Sequence, residues 1–124
     1  MNIKENNVMY INMTLNNNQK VNYVMQGEGN PIVLVHGLAA SLHDWDDLFP
    51  ELTNAGYKSY ALDLLGHGES EKPNDFNQYT FQNVYDNFEN WLDSLHITQP
   101  FPLIGHSLGG ALCLQYAYYH PRKV

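Results

Sequence analysis

Residues 100–119 read PFPLIGHSLGGALCLQYAYY, and the way this stretch is divided decides the fold. The run FPLIGH (101–106) has the continuous apolar character of a strand buried on both faces. LGGALCLQYAYYH (108–120) reads as a helix that ends before Pro121. Between them GHSLG, Gly105 to Gly109, fits the pattern G-x-S-x-G. A serine at so tight a strand-to-helix turn stands clear of the sheet in a strained backbone conformation. The turn brings strand and helix together, so the positions two before and two after the serine need to be nearly free of side chain. Gly105, Gly109 and Gly110 meet that need. The first amides of the helix, unpaired and at the positive end of its dipole, suit a developing oxyanion.

Working outward, PIVLVHG (31–37) is a second β-branched run, and YKSYALD (57–63) a third strand. SLHDWDDLFPELTNAG (41–56) is expected to be a helix closing at Gly56, with Pro50 tolerable only near its first turn. TFQNVYDNFENWLDSLHI (80–97) is the clearest helix. Thr80 is its N-cap, and Phe81, Val84, Tyr85, Phe88, Trp91, Leu92 and Leu95 form one face. Asp86, Glu89 and Asp93 are assigned to its solvated side. VMYINMTL (8–15) and KVNYVMQG (20–27), separated by NNNQ, read as a hairpin. The order hairpin, then strand–helix three times over, predicts an α/β fold: a mostly parallel sheet with helices on both faces.

Composition narrows the function. The 124 residues are enough for one domain, and their formal charge of -7 offers no attraction to phosphate backbones or anionic lipids. No apolar run approaches the length of a membrane span, and the start lacks the basic-then-apolar order of a secretory signal. Cys113 is the only cysteine, which excludes an internal disulfide and a cysteine metal cluster. The expectation is a cytoplasmic protein with no metal, no cofactor, no nucleic-acid partner and no membrane span.

Three motifs end predicted strands: His36-Gly37, Asp63 to Ser70 (DLLGHGES) and Gly105 to Gly110 (GHSLGG). Sites in open α/β sheets form outside the carboxyl ends of the strands. On these residues and their spacing the chain resembles the α/β-hydrolase family, of the serine-nucleophile esterase, lipase and carbon–carbon-bond hydrolase type. The resemblance spans nearly the whole chain and implies that residues 1–124 are the N-terminal part of one such domain. It implies Ser107 as nucleophile and the backbone amides of Leu108 and Leu38 as the oxyanion hole, with a small ester-like molecule as substrate. His36, Gly37, Asp63, Gly66, His67, Gly68, Gly105, His106, Gly109 and Gly110 would support these motifs. Serine in place of aspartate at the elbow argues against the dehalogenase and epoxide-hydrolase branches, which attack with a carboxylate.

A serine hydroxyl needs a histidine oriented by a carboxylate, and the family order is Ser, then Asp or Glu, then His. After Ser107 there is no Asp or Glu, and only His120, about 20 Å away along a helix of that length. His36 and His67 read as residues that order backbone, His106 as pointing away from the serine by strand alternation, and His43 and His96 as solvent-facing. Asp63 reads as the anchor of the turn that follows it. The chain is therefore expected to lack the acid, the histidine, the later strands and any lid, and to be inactive alone. The FPLIGH strand would then be an unpaired sheet edge open to self-association. A non-catalytic binding protein of the same fold, an acyltransferase and a perhydrolase are the alternatives.

Overall fold

The computed structural model of the chain describes residues 8–124. Strands β1 (Met9–Thr14) and β2 (Lys20–Gln26) form the expected hairpin, in register from Met9 opposite Met25 to Thr14 opposite Lys20. Asn18 carries the left-handed conformation its turn requires (φ 66°), a state asparagine tolerates better than most residues. β3 (Asn30–Val35), α1 (Phe49–Asn54), β4 (Tyr57–Leu62), α2 (Phe81–Ser94), β5 (Leu103–Gly105) and α3 (Leu108–Tyr119) follow.

The sheet order is β1-β2-β4-β3-β5. β4, β3 and β5 are parallel, while β2 joins β4 antiparallel and carries β1 at the far edge. The mostly parallel sheet thus becomes a mixed one: a parallel trio extended by an antiparallel hairpin.

Strand alternation divides the core in two. Val33, Val35, Tyr60 and Leu62 face α2 and α3, where Phe88, Trp91, Leu112 and Tyr116 are buried. Val24, Ile32, Leu34 and Ala61 face the other way, against Leu42 and Phe49. β3 has apolar partners on both faces, which is why its sequence shows no polar alternation.

Several elements depart from expectation for identifiable reasons. Residues 41–56 are not one helix. Leu42–Trp45 make a single 3-10 turn, capped by Ser41 Oγ accepting the His43 amide at 3.2 Å, and α1 starts afresh at Phe49. Pro50 has no amide to bond back to residue 46, so a continuous helix cannot run through it. FPLIGH contributes only three strand residues, and Ile104 is 40% exposed because one side of β5 has no neighbour among the described residues. Glu89 and Asp93 are not simply solvated. Glu89 accepts from Tyr85 Oη and contacts His120 Nε2, both at 2.8 Å, and Asp93 accepts from Tyr116 Oη at 3.0 Å. The bonds to Tyr116 and His120 tie α2 to the C-terminal end of α3. Phe81 is exposed and Asn87 buried, the reverse of the helical pattern; Asn87 Nδ2 donates to Gln19 at 3.0 Å. Thr80 caps α2 as expected, accepting from the Asn83 amide at 3.1 Å.

Candidate active site

Val35 is the register partner of both Leu62 and Gly105. Three parallel strands therefore end on one rung, and the next residue of each is His36, Asp63 and His106. The three motifs leave the sheet side by side, at its carboxyl edge.

At β5 the chain turns into α3 through Ser107, whose backbone sits at φ 56°, ψ −117°. A non-glycine residue there is strained by about 1–3 kcal/mol and persists only where its surroundings over-determine it. The surroundings are tight. A Cβ at Gly105 would lie 2.4 Å from the Gly109 carbonyl, and one at Gly109 would lie 2.2 Å from the Val35 carbonyl oxygen. Gly110 is less constrained, its nearest such contact being 3.4 Å. His106 is exposed; its amide donates to Val35 O at 3.0 Å, and its own carbonyl accepts the Gly109 amide at 2.9 Å. Ser107 is exposed. The Leu108 amide opens α3 and lies ahead of its i→i−4 ladder.

The loop after β3 meets this elbow directly. A Cβ at Gly37 would sit 3.2 Å from Ser107 Cβ and 3.0 Å from the His106 carbonyl oxygen, so a side chain there would press on the elbow. Leu38 is 73% exposed, and its amide makes no hydrogen bond among the described residues. Ala39 follows in the left-handed region (φ 62°).

Asp63 is buried and wholly occupied. Oδ1 accepts the Leu42 amide at 2.8 Å; Oδ2 accepts Asn22 Nδ2 at 3.0 Å and the Glu69 amide at 2.9 Å. Ser70 Oγ donates to the Asp63 carbonyl at 2.6 Å and accepts the Asn22 amide at 2.9 Å. A Cβ at Gly68 would fall 2.1 Å from the carboxylate, and one at Gly66 2.5 Å from the Tyr79 ring. One carboxylate thus holds together the strand β2, the loop after β3 and the turn after β4. The role of Asn22 was not visible in sequence, since only the fold brings it within reach.

His36 and His67 stand between these loops, with ring centroids 5.0 Å apart. His36 is fully buried; Nε2 accepts the Leu64 amide at 3.0 Å and Nδ1 faces Gly37 O at 2.7 Å. Burial lowers its pKa, against the opposing pull of the Gly37 carbonyl. His67 Nε2 accepts the Ala39 amide at 3.0 Å and Nδ1 faces Leu65 O at 3.0 Å. Amide donation to both Nε2 atoms places each ring proton on Nδ1.

The other ionisable groups lie elsewhere. His43 pairs with Asp46 at 3.0 Å, His96 follows α2 with φ 52°, and His120 is held by Glu89 at the far end of α3. Burial pushes the Cys113 thiol up to about 12, which makes it a core residue. Among the described residues no three metal-capable side chains converge. No helix there is long and apolar enough to cross a membrane. A cavity of about 260 Å³ between the end of α2, Phe101 and Lys123 shares no residue with the elbow.

The family model for the alpha/beta hydrolase fold matches residues 30–124. The chain belongs to the α/β hydrolase fold family. Among relatives, bifunctional epoxide hydrolase 2 of Rattus norvegicus is 30% identical over 119 residues, 96% of this chain and 21% of that protein. Cis-3-alkyl-4-alkyloxetan-2-one decarboxylase of Shewanella oneidensis is 32% identical over 112 residues, 87% of this chain and 34% of that protein. The crystal structure of epoxide hydrolase VrEH1 from Vigna radiata superposes with a TM-score of 0.84 at 23% identity, over 96% of this chain and 38% of the other, a likeness of fold. The chain thus spans about a fifth to a third of the length of these two sequence relatives. By name these two relatives already differ in reaction, one a hydrolase of epoxides and the other a decarboxylase.

Proposed function

We propose that this chain is the nucleophile-bearing portion of a metal-free serine hydrolase acting on ester-like carbonyl compounds. The observation that carries the reading is the backbone of exposed Ser107, held at φ 56°, ψ −117° at the start of α3 and packed against Gly37, the residue before Leu38. Ser107 Oγ attacks the carbonyl carbon and gives its proton to a base, while the carbonyl electron pair becomes an oxyanion between the Leu38 and Leu108 amides. Collapse expels the alcohol, which takes up that proton, and water then cleaves the acyl-enzyme to release the acid. The base and its carboxylate partner are to be sought outside residues 8–124, since His120 and Asp63 are both engaged elsewhere.

The relatives named as epoxide hydrolases raise a rival substrate, and bond chemistry argues against it. A carboxylate that opens an epoxide forms an ester, which water can cleave. Serine opening the same ring forms an alkyl ether, with no carbonyl for water to attack. An epoxide would leave Ser107 alkylated after one event; an ester or lactone lets it turn over.

Labelling of the full chain with a fluorophosphonate tests the reading. The reagent should modify Ser107 and leave Ser107→Ala unmarked; label that survives the substitution removes the nucleophile assignment. Residues 1–124 alone should give no turnover above background on short p-nitrophenyl esters.

The engagement of His120 with Glu89 favours one second reading, a non-catalytic binding protein of this fold. The coding sequence downstream of codon 124 separates the two. An acidic residue followed by a histidine there supports the enzyme, in which an acyltransferase or perhydrolase would use the same elbow; a stop with no remnant supports the binder.

A further inference from the structure

The two loop histidines, His36 buried and His67 half-buried, are wired reciprocally. His36, on the loop after β3, accepts the Leu64 amide from the turn after β4; His67, on that turn, accepts the Ala39 amide from the loop after β3, each at 3.0 Å. Each Nδ1 then returns its proton to a carbonyl of its own loop, Gly37 O at 2.7 Å and Leu65 O at 3.0 Å. We propose that His36 and His67 form a two-way clamp that positions the Leu38 amide for the oxyanion, and that it grips only while both rings are neutral. The proposal rests on the serine-hydrolase reading of Ser107.

Geometry explains the positioning. Leu38 lies between Gly37, whose carbonyl faces His36, and Ala39, whose amide is taken by His67. The peptides on both sides of Leu38 are therefore pinned by imidazoles. Ala39 has the left-handed φ of 62°, a conformation that is costly for alanine and needs outside support; the His67 bond is that support. With the Leu38 side chain 73% exposed, little packing at Leu38 itself would hold the amide.

The need for neutrality follows from donor count. Protonating Nε2 of either ring replaces an acceptor by a donor aimed at an amide N–H, and that bond must break. The charged groups acting on His36 are Asp44 from the 3-10 turn and Asp63 at the end of β4, while His106 Nδ1 lies beside Gly37 and the Tyr79 ring beside Gly66. Asp63 and Asp44 pull His36 toward its charged form, but burial outweighs them, and the Asp63 carboxylate already receives three N–H donors. Two imidazoliums 5.0 Å apart would also repel, which disfavours the doubly charged pair.

Two readouts on the full chain test this. Nitrogen-15 NMR should show both rings as Nδ1–H tautomers, with couplings across the Ala39 N–H to His67 Nε2 and Leu64 N–H to His36 Nε2 bonds, each vanishing as its own ring is protonated. An Nε2–H tautomer at neutral pH, or couplings that outlast ring protonation, overturns the clamp. The second readout is the fluorophosphonate rate at Ser107. His67→Phe should slow it by about 30-fold, part of the roughly 100- to 1,000-fold that follows loss of an oxyanion donor. His67→Gln, whose side-chain oxygen can accept from Ala39, should recover most of that loss. A folded His67→Phe that labels at the wild-type rate overturns the positioning role. Intact couplings in a wild-type chain that never labels would instead retire the serine chemistry, and the positioning role with it.

Discussion

Gly109 packs against Val35 so closely that a methyl group on its Cα would lie 2.2 Å from the Val35 carbonyl oxygen. The first turn of α3 thus rests on the last residue of β3, and the elbow exists because nothing intervenes. Gly109→Ala should force the helix off the strand. Overpacking of this kind costs about 1–3 kcal/mol or more where the clash is with backbone, so urea denaturation should show a loss of at least that size. Gly110→Ala, at 3.4 Å from its nearest such neighbour, should cost far less. Equal effects at the two positions would contradict the account of the elbow.

Asp63→Asn probes the hub of the loops. The carboxylate accepts three N–H groups, and an amide of the same shape turns one acceptor into a donor facing a donor. A buried group stripped of its partner costs about 1–3 kcal/mol. A fall in urea midpoint of that order is expected, with the largest gain in amide exchange at Leu42 and Glu69. Exchange unchanged at both amides would show that the carboxylate does not hold the loops.

How much of this was legible beforehand depends on the range of the contact. The hairpin, β3, β4, α2, α3 and the turn at Ser107 follow from local pattern and glycine spacing, and each lies where the sequence places it. Residues 41–56 misled because their apolar spacing suits a helix while Pro50 and the Ser41 cap together favour two short turns. Glu89 and Asp93 look solvated from helical periodicity, since their partners Tyr116 and His120 lie on another helix. The crossed bonds of His36 and His67 each span 28 residues. Their sequence signal is only that each histidine neighbours a glycine, His36 at the end of β3 and His67 in the turn after β4; pairing them requires the rung on which β3 and β4 stop.

His36 also makes stability depend on pH, with a definite sign. Burial lowers its folded pKa below the ordinary 6.5, so between those two values the unfolded chain binds a proton that the folded chain refuses. The contribution is fully present above about pH 6.5 and declines as pH falls toward the folded value. Wild type should therefore lose stability over that window in denaturant titrations. His36→Gln, with no ring to protonate, should be less stable at pH 8 yet lose less on acidification. A parallel decline in both proteins would assign the pH dependence to other groups.

The open side of β5 predicts how the 124-residue chain behaves by itself. β5 bonds to β3 alone among the described strands, and α3 beside it exposes Leu114 (74%) and Tyr118 (80%). An apolar edge with unpaired backbone groups recruits another strand, and a second copy of the chain is the partner always at hand. Analytical ultracentrifugation at micromolar concentration should find dimers or larger species that dissociate on dilution. Ile104→Lys puts a charge on that short strand, where lysine discourages edge pairing, and should shift the distribution toward monomer. Leu114→Lys, on the helix, should act independently if the helix face contributes and should do nothing if the edge alone does. A wild-type chain that stays monomeric and melts cooperatively would mean that three strand residues are too few to template a partner, and that the exposed face of α3 is tolerated in water.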